Sequence, residues 1–467
     1  MRNIEIPNLH ELFLECNSSV CTDSRSVKSG DLFFALKGEN FDGNNYACAA
    51  LEKGAAYAVI DSEQIYQANE PLQQRLLLVE DVLVALQQLS RYNRLRYKIP
   101  VIALTGTNGK TTTKELIAAT LATKYNVVST IGNLNNHIGV PLTLLRINAD
   151  TQVAVIEMGA SAPGEIDTLV SLACPSFGLI TNVGKAHLLG FGSFEGVKKT
   201  KGELYDNLLA HRKIAFVNMD NPHLVEMIHQ REPLHIVPYG LKNNCVEIVE
   251  NDPGNPFLKM TMPNPCLMSG PARIEINTNL IGRYNADNVL AALCISSYFD
   301  VPTEDAVAAI AGYVPSNNRS QMTKTEKNTL IIDAYNANPT SMRASVGNFN
   351  TLNFCGKVLV LGDMRELGED SLKEHSEFVE YLLGLDVEKI YLVGEEFKKA
   401  VEALKERAQD SAEESAEDSA WGAEIPLCLF DDSALLREHL VSEPLVGKTV
   451  LIKGSRGIKL ERIFDVL

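Results

Sequence analysis

The length, composition and charge of the chain exclude several classes of protein. Its 467 residues suffice for about three domains of ordinary size, each with its own hydrophobic core. A hydrophobic fraction of 45% and a charged fraction of 22% are typical of a soluble globular protein and exclude a largely disordered chain. The net charge of -16 argues against broad binding of nucleic acid or of an anionic membrane, because surplus Lys and Arg bind phosphate backbones. We therefore expect any anion to be bound locally.

The N-terminal segment and the cysteines indicate a cellular compartment. Residues 1–16, MRNIEIPNLHELFLEC, contain no continuous apolar run and so do not predict a signal peptide. No stretch approaches the roughly 18 apolar residues that a membrane-spanning helix needs. The nine cysteines lack CxxC spacing, which favours reduced thiols over disulfides or a zinc site. We expect a cytoplasmic protein, a monomer, that neither inserts into a membrane nor binds nucleic acid.

Short β-rich runs alternate with helix-length amphipathic stretches along most of the chain. This alternation is typical of α/β domains in which helices cover parallel sheets. Pro100, just before a new strand, indicates a domain boundary near residue 98. We predict three domains, with the boundaries 1–98, 99–314 and 315–467.

The predicted elements follow this division. The first domain contains strands at 31–36, 56–60 and 75–79 and a helix over 81–97. The second contains strands at 101–104, 153–156, 177–181 and 214–218, and a helix over 285–299. Between 235 and 281, Gly, Pro and Asn turns join short strands, which predicts an antiparallel addition. The third contains strands at 329–333, 357–361, 389–393, 426–430 and 449–453. Its acidic segment 405–424 predicts a solvated loop or helix extension without chemistry.

The segment VIALTGTNGKTTTKELI (101–117) runs from a buried strand through two glycines and a lysine into a helix. Gly106 and Gly109 permit backbone dihedrals that a Cβ would forbid, so successive N–H groups can converge on an anion at the helix N-terminus. Lys110 would add a positive charge, and the hydroxyl of Thr111 or Thr112 could coordinate Mg²⁺. We predict that the turn binds the phosphates of a nucleoside triphosphate through Gly106, Thr107, Asn108, Gly109, Lys110, Thr111 and Thr112.

This turn departs from the usual P-loop pattern. The pattern G-x-x-x-x-G-K-[ST] would place its first glycine at position 104, where this chain has Leu104. A fortuitous glycine turn between a strand and a helix is therefore the alternative. The correct order of strand and then helix favours the phosphate-binding interpretation.

Two side chains that follow neighbouring strands could serve a magnesium ion. Glu157 ends the strand in VAVIEMGA, and His187 follows the strand in GLITNVGKAHL. Taken singly, a glutamate after a strand is usually a helix cap or surface charge, and a histidine is usually a structural hydrogen-bonding residue. Because both follow strands that come after the phosphate-binding turn, we predict that they lie at its edge of the sheet as metal ligands.

Four motifs in this order resemble those of the Mur ligases, which build the peptide stem of bacterial peptidoglycan: TGTNGKTTT, IEMGA, TNVGKAHL and TKGELYDNL. The resemblance covers essentially the whole chain. It implies a three-domain α/β architecture, with an N-terminal UDP-binding domain, a central P-loop-type parallel sheet and a C-terminal Rossmann-like domain. It also implies amide formation with ATP. A substrate carboxylate attacks the γ-phosphorus, and an amine displaces phosphate from the resulting acyl phosphate, which requires mainly positioning and charge neutralisation.

The resemblance implies a site with two Mg²⁺ ions, held by Thr111, Glu157, His187 and Lys201. It implies a catalytic group formed by Lys110, His187 and Lys201. Lys201 corresponds to a lysine that the family carbamylates, which converts a cation into an anionic oxygen donor. From the residues alone, Lys198, Lys199 and Lys201 read as a solvated basic face of a helix.

Further residues of the nucleotide site are implied in the same way. Asn285 and Asn288 in GRYNADNVLAA share one helical face, and an amide matches the N6/N7 edge of adenine. An N-cap is the alternative for Asn285. Arg319 resembles an arginine that reaches the phosphates, and Asp333 resembles an aspartate near the ribose, although an exposed arginine and a turn-starting aspartate are common.

Within the family, the chain is most similar to the member that adds D-alanyl-D-alanine to UDP-N-acetylmuramoyl-tripeptide. The segments that carry this similarity are 22–46, 132–145, 333–344, 361–368 and 451–461. The implied contacts are Ser24 and Arg25 for the uridine-diphosphate sugar and Asn135 and Asn136 for the muramoyl-peptide. Those for the dipeptide are Tyr335, Asn336, Asn338 and Ser455. Asn-rich segments are ordinarily turns.

Four alternative functions compete with this one. A ligase that adds a diamino acid carries a D-N-P-R signature in its last domain, whereas this chain has only DNPH at 220–223, in the predicted central domain. That ligase and a folylpolyglutamate synthetase would share the ATP site. A nucleotide-driven switch or motor would hydrolyse ATP without an amine acceptor, and a scaffold would not need the charged cluster.

Overall fold

The computed structural model describes residues 4–250, 255–264, 272–316, 318–412 and 427–467. Three β-sheets of four, six and six strands follow one another along the chain, and helices cover them. Most of the predicted acidic segment 405–424 lies outside the described residues; the helix Glu395–Ala412 extends into its beginning. Within the described residues, no helix is both long enough and apolar enough to cross a bilayer.

The first sheet is parallel throughout. Its strands, in spatial order, are Val20–Cys21, Leu32–Phe34, Tyr57–Ile60 and Leu76–Leu78. The helix Val82–Arg96 packs beside it, and its N-terminus is capped by Asp81, whose carboxylate accepts a hydrogen bond from the N–H of Val84 at 2.8 Å. A short hairpin pairs Lys37–Gly38 with Phe41–Asp42. The three predicted strands of this region are confirmed.

The second sheet positions the candidate site. Its six parallel strands, in spatial order, are His235–Tyr239, Ile214–Asn218, Phe177–Ile180, Val101–Thr105, Val153–Glu157 and Val127–Ser129. Side chains of Val101–Thr105 alternate between two buried clusters, one on each face, as a continuous apolar strand requires. Because the neighbours of this strand are parallel to it, the loops that follow all three meet at one edge.

An antiparallel sheet is added to the second sheet. Its strands are Glu247–Val249, Phe257–Pro263 and Arg273–Ile281, as predicted for the later part of 235–281. The prediction was wrong at its start, because His235–Tyr239 pairs parallel with Ile214–Asn218 and so belongs to the main sheet. Residues 251–254 and 265–271 lie outside the described part of the chain.

The third sheet is parallel except at one edge. Its strands, in spatial order, are Gln321–Lys324, Thr329–Asp333, Thr449–Lys453, Lys357–Gly362, Lys389–Val393 and Leu427–Phe430. Gln321–Lys324 pairs antiparallel with Thr329–Asp333. The five predicted strands are confirmed, whereas this polar edge strand was not predicted.

Helices connect the strands of all three sheets and cover their faces. In chain order they are Ile6–Glu15, Ala47–Glu52, Glu63–Ala68, Val82–Arg96, Lys110–Leu121, Gly139–Leu144, Glu165–Ala173, Leu188–Phe191, Phe194–Ala210, Pro222–His229, Ala286–Tyr298, Thr303–Gly312, Pro339–Thr351, Ser371–Leu383, Glu395–Ala412 and Ser433–Ser442.

Candidate active site

The phosphate loop, residues 105–112, joins the strand Val101–Thr105 to the helix Lys110–Leu121. Gly106 has φ 151° and Gly109 has φ 76°. A Cβ on Gly106 would collide with the hydroxyl of Thr181, and one on Gly109 would lie 2.5 Å from Oδ1 of Asn288. Both positions therefore need glycine, because of their backbone dihedrals and because of the atoms that surround them. The first N–H groups of the helix that follows have no intrahelical acceptor.

Part of the loop backbone is already engaged. The N–H of Thr107 donates to the carbonyl of Asn182 at 3.0 Å, and the N–H of Asn108 donates to Oδ1 of the same residue at 2.9 Å. The N–H groups at the start of the helix Lys110–Leu121 remain as donors for an anion. A helix N-terminus favours an anion through its N–H groups and its dipole.

Lys110 folds back over the loop. Its Nζ donates to the carbonyls of Gly106 at 2.8 Å and Thr107 at 3.1 Å. The pKa of Lys110 is lowered to about 8, mainly by burial and in smaller part by the positive charge of Arg319, against the opposing effect of Glu157. Such a cation is stabilised by an anionic ligand, because an opposite charge restores its protonated form.

Glu157 is the buried carboxylate of the site. Its Oε1 accepts hydrogen bonds from Oγ1 of Thr111 at 3.2 Å and from Nδ2 of Asn135 at 2.7 Å. Its Oε2 is buried and has no hydrogen-bond partner among the described residues. A buried carboxylate oxygen without a partner is costly, and a hard cation is the ligand that best compensates it. The threonine hydroxyl beside it is a second oxygen donor suited to Mg²⁺.

His187 lies on the loop after the neighbouring strand, with a positive φ of 51°. Its Nδ1 lies 2.5 Å from Oε2 of Glu366, a residue of the C-terminal region that sequence analysis did not select. This hydrogen bond lowers the pKa of Glu366. The imidazole also makes an edge contact with the ring of Phe191, with centroids 6.2 Å apart.

Lys201 is buried, with 3% of its surface exposed, in the helix Phe194–Ala210. Its Nζ lies 5.7 Å from the ring centroid of Phe191, and no hydrogen bond or ion pair to it is found within the described residues. Burial is the main cause that lowers the pKa of Lys201 well below its ordinary value, with a contribution from the charge of Lys110. Phe191 therefore contacts both His187 and Lys201.

The interpretation of three lysines as a solvated basic face was wrong for two of them. Lys199 is exposed, but Lys198 and Lys201 are buried. Lys198 forms ion pairs with Glu195 at 3.2 Å and Glu226 at 2.7 Å. Of the two buried lysines, only Lys201 lacks a charged partner of this kind among the described residues.

Asn285 and Asn288 are both buried beneath the phosphate loop. Asn285 occupies the N-cap position of the helix Ala286–Tyr298, but its side chain does not cap the helix and donates to the carbonyl of Ile281 at 2.8 Å. The amide of Asn288 donates to Oδ1 of Asn285 at 2.8 Å and accepts from the hydroxyl of Thr113 at 2.9 Å. The two asparagines are thus linked to each other and to the first turn of the loop helix.

The C-terminal region contributes charged groups to the same place. The guanidinium of Arg319 stacks on the ring of Tyr335, with its Cζ 3.7 Å from the ring centroid. Nζ of the buried Lys453 donates to Oδ2 of Asp333 at 2.6 Å and to the carbonyl of Asn336 at 3.4 Å. Lys453 was not selected from the sequence.

Three of the side-chain contacts between the central and C-terminal regions involve the phosphate loop or the segment that carries His187. Nδ2 of Asn338 donates to Oδ1 of Asn108 at 2.8 Å. Nζ of Lys185 donates to Oε1 of Glu374 at 2.6 Å. The third is the His187–Glu366 contact described above. The phosphate loop and the segment that carries His187 are therefore both held by the C-terminal region.

A cavity of ≈ 780 Å³ lies between these regions. Most of the predicted site residues line it: Thr107, Asn108, Gly109, Lys110, Thr112, Asn135, Asn136, Glu157, His187, Asn285, Asn288, Arg319, Asp333, Tyr335 and Asn336. Gly106, Thr111, Asn338, Lys201 and Ser455 do not line it, although the first three contact residues that do.

Three residues that were predicted to contact substrates lie away from the cavity. Arg25 pairs with Asp23 at 2.7 Å, and the carbonyl of Ser24 accepts from Nζ of Lys53 at 2.8 Å, both on the surface of the first domain. The hydroxyl of Ser455 is buried and accepts from the N–H of Arg365 at 2.9 Å. The structure does not bring these three side chains to the cavity wall.

No cluster of three or more His, Cys, Asp or Glu side chains is arranged as a metal site in the described residues. The predicted ligand set contains only two residues of those types, Glu157 and His187. Its other members are a threonine hydroxyl and a lysine. The set would therefore be completed by oxygen donors of another kind, such as substrate phosphates.

The chain matches three sequence models of one family in succession. These are "Mur ligase family, catalytic domain" over residues 18–94, "Mur ligase middle domain" over 104–296, and "Mur ligase, glutamate ligase domain" over 318–456. The UDP-N-acetylmuramoyl-tripeptide--D-alanyl-D-alanine ligase of Bacillus subtilis (strain 168) is 34% identical over 451 residues, which cover 95% of this chain and 92% of the relative.

Solved structures agree with this relationship. A crystal structure of MurF from Acinetobacter baumannii has a TM-score of 0.79 and 31% sequence identity, covering 96% of this chain and 92% of the other. The MurF ligase of Thermotoga maritima in complex with ADP has a TM-score of 0.76 and 26% identity, covering 96% of both chains. The chain belongs to the Mur ligase family.

Proposed function

We propose that this chain is an ATP-dependent ligase that joins D-alanyl-D-alanine to UDP-N-acetylmuramoyl-tripeptide in the synthesis of peptidoglycan precursors. The relative from Bacillus subtilis carries the name of this activity and matches nearly the whole length. The observation that carries the proposal is the unpartnered Oε2 of Glu157, buried beside a phosphate-binding helix start and within a cavity between two regions.

The phosphate loop would hold the triphosphate of ATP. Lys110 and the first N–H groups of its helix supply positive charge to the phosphates, and Arg319 adds a second cation on the cavity wall. Asn288 lines the cavity next to Gly109, and the family resemblance assigns its amide to the adenine base. The MurF ligase of Thermotoga maritima was solved in complex with ADP, which supports an adenine nucleotide as a ligand of this chain.

The residues predicted as metal ligands fit Mg²⁺, because Glu157 offers a buried carboxylate oxygen without a partner among the described residues. Thr111, Glu157, His187 and Lys201 would hold two Mg²⁺ ions, which when bound neutralise charge on the phosphates and on the reacting carboxylate. The buried orphan oxygen of Glu157 and the hydroxyl of Thr111 provide hard oxygen ligands. His187 provides an imidazole on the adjacent loop.

Carbamylation of Lys201 would make this set more suitable. A neutral amine is the form that adds to CO₂, and burial favours the neutral form of Lys201. The product is an anion with two oxygen donors, whereas an ammonium would repel a cation. The absence of an ion-pair partner among the described residues leaves Nζ open to this reaction.

The chain's own residues would then position two substrates. Asn135 and Asn136, which line the cavity, would contact the muramoyl-peptide, and Tyr335 and Asn336, on the same cavity, would contact the dipeptide. Asn338, which does not line the cavity itself, would contact the dipeptide from the cavity's edge. Contacts from Asn338, Glu366 and Glu374 hold the C-terminal region against the loop, which would keep water from a reactive acyl phosphate.

The remaining assignments form part of the same proposal. The domain boundaries are 1–98, 99–314 and 315–467, with Ser24 and Arg25 in the domain that receives the uridine-diphosphate sugar and Ser455 behind the dipeptide side. We place the reaction in the cytoplasm and expect the protein to be a monomer. The eight cysteines that the structure describes are all free thiols, as a reducing compartment requires.

The test is phosphate release by the full chain. We expect release to require ATP, Mg²⁺, UDP-N-acetylmuramoyl-tripeptide and D-alanyl-D-alanine together, with product identified by mass. A panel of acceptors should include the dipeptide, single diamino acids and glutamate. Rapid hydrolysis with ATP alone would overturn the ligase assignment, and a preference for a diamino acid or glutamate would assign another member of the family.

A further inference from the structure

Glu366 reaches across the domain interface to the imidazole of His187. Its Oε2 lies 2.5 Å from Nδ1, and its carbonyl accepts from the N–H of Leu189 at 3.4 Å. Both interacting residues have positive φ, 69° for Glu366 and 51° for His187. Non-glycine residues adopt this conformation at a cost, and such residues are concentrated at functional sites.

The Glu366 loop, residues 363–368, is held at its base by side chains of the C-terminal sheet region. The N–H of Met364 donates to Nε2 of His375 at 3.0 Å, and the N–H of Arg365 donates to the hydroxyl of Ser455 at 2.9 Å. Nδ1 of His375 in turn faces the carbonyl of Ser371 at 2.8 Å, which fixes its tautomer. These contacts present Glu366 in one defined place.

We propose that Glu366 is a positioning residue, which holds His187 through Nδ1 and leaves Nε2 as the nitrogen that binds a cation. A carboxylate that accepts from one ring nitrogen fixes the tautomer and the orientation of a histidine ligand. Because Glu366 belongs to the C-terminal region, docking of that region would also set the geometry of His187. The inference rests on the proposed function only in taking His187 as a cation ligand.

The same interface provides a matched control. Lys185 and Glu374 form an ion pair of 2.6 Å, two residues from His187, without touching the imidazole. If Glu366 served only to dock the two regions, loss of either contact would have the same effect. If Glu366 positions His187, only its own loss would change the imidazole.

The first measurement is NMR of the full chain with ¹⁵N-labelled histidine, without Mg²⁺ or nucleotide, at about pH 8, where an ordinary imidazole is neutral. His187→Gln identifies the signal. We expect the Nδ1–H tautomer in the wild type, in Glu366→Gln, whose amide oxygen still accepts, and in Glu374→Gln. Glu366→Ala should give a mixture of tautomers. An unchanged His187 signal in Glu366→Ala, or the same change in Glu374→Gln, would overturn the proposal.

The second measurement is the Mg²⁺ concentration for half-maximal ligase activity. Loss of a residue that orients a metal ligand typically weakens metal binding by about 10- to 100-fold, so Glu366→Ala should raise this concentration by that factor. Glu366→Gln and Glu374→Gln should stay near the wild type, and an unchanged requirement in Glu366→Ala would contradict the proposal. If the wild type itself has no ligase activity, the proposed function fails, while the tautomer measurement still decides the role of Glu366.

Discussion

Asn338 performs two structural tasks with one amide group. Its Oδ1 accepts from the N–H of Ser341 at 2.9 Å and so caps the helix Pro339–Thr351, while its Nδ2 donates to Oδ1 of Asn108 in the phosphate loop at 2.8 Å. The hydroxyl of Ser341 completes a capping box by accepting from the N–H of Asn338 at 3.1 Å. The start of this C-terminal helix is therefore fixed against the predicted ATP-binding loop.

The two tasks are separated by Asn338→Asp. Aspartate caps a helix as well as asparagine does but cannot donate to Asn108, so any loss of unfolding free energy should be confined to that one hydrogen bond. The lost hydrogen bond is worth ~1 kcal/mol, which predicts about fivefold weaker kcat/KM for ATP. Asn338→Ala removes both interactions and should also lower the free energy of unfolding by ~1 kcal/mol. Equal destabilisation by both variants in thermal unfolding would contradict this separation.

Gly109→Ala tests the close approach behind the phosphate loop. The new Cβ would lie 2.5 Å from Oδ1 of Asn288, at a residue with φ 76°, so both the loop and the asparagine pair would have to move. We expect nucleotide binding, measured by calorimetry with a non-hydrolysable ATP analogue, to fall by at least about tenfold, because a mispositioned phosphate loop loses several hydrogen bonds.

The matched control for this substitution is Gly447→Ala. Gly447 has a similar φ of 70°, but nothing lies within 4 Å of its added Cβ. The Gly447→Ala variant should show only the effect of backbone strain, a loss of ~1 kcal/mol in the free energy of unfolding. Its affinity for nucleotide should equal that of the wild type. Equal nucleotide affinity in the two variants would show that the contact with Asn288 is unimportant.

Lys201 is predicted to be the carbamylated lysine. The full chain, incubated with ¹³C-labelled bicarbonate, should show a carbamate signal in its ¹³C NMR spectrum that disappears in Lys201→Arg. Arginine keeps a positive charge but does not form a stable carbamate. Lys198→Arg is the control, because Lys198 is buried in ion pairs with Glu195 and Glu226 and should not react. A signal retained in Lys201→Arg would assign the carbamate to another amine, and the absence of a signal in the wild type would contradict the prediction.

The strands that sequence patterns predicted best are those buried on both faces. Val101–Thr105 and Val153–Glu157 are continuous apolar runs because helices cover both sides of their sheet. The missed strands have weaker signals. Val127–Ser129 has three half-buried residues at a sheet edge, and Gln321–Lys324 is a polar edge strand whose pairing depends on a distant partner. Their pairing is fixed by tertiary contacts, which local patterns do not record.

The residues of the candidate site also fall into a group that local sequence predicts and a group that depends on tertiary contacts. Gly106, Gly109 and Lys110 lie within one short segment whose local geometry follows from residue type, so the sequence predicts a phosphate loop there. Glu366 reaches the cavity region only because two separate sheets dock against each other, and its single signal was membership of the segment LGDMRELG. Side chains that act across a domain interface cannot be assigned from local spacing.

Lys110→Ala provides the most direct test of the phosphate loop. The ammonium group of Lys110 is the cation of the loop and also donates hydrogen bonds to the carbonyls of Gly106 and Thr107. Its removal should lower kcat by about 10³-fold, as expected for the loss of ~4 kcal/mol of charge stabilisation in the transition state. Deletion of residues 411–420, within the acidic segment, should leave phosphate release unchanged, since no predicted site residue lies there. A strong loss of activity in this deletion would show that the acidic segment takes part in the reaction, and full activity in Lys110→Ala would show that the phosphates bind elsewhere.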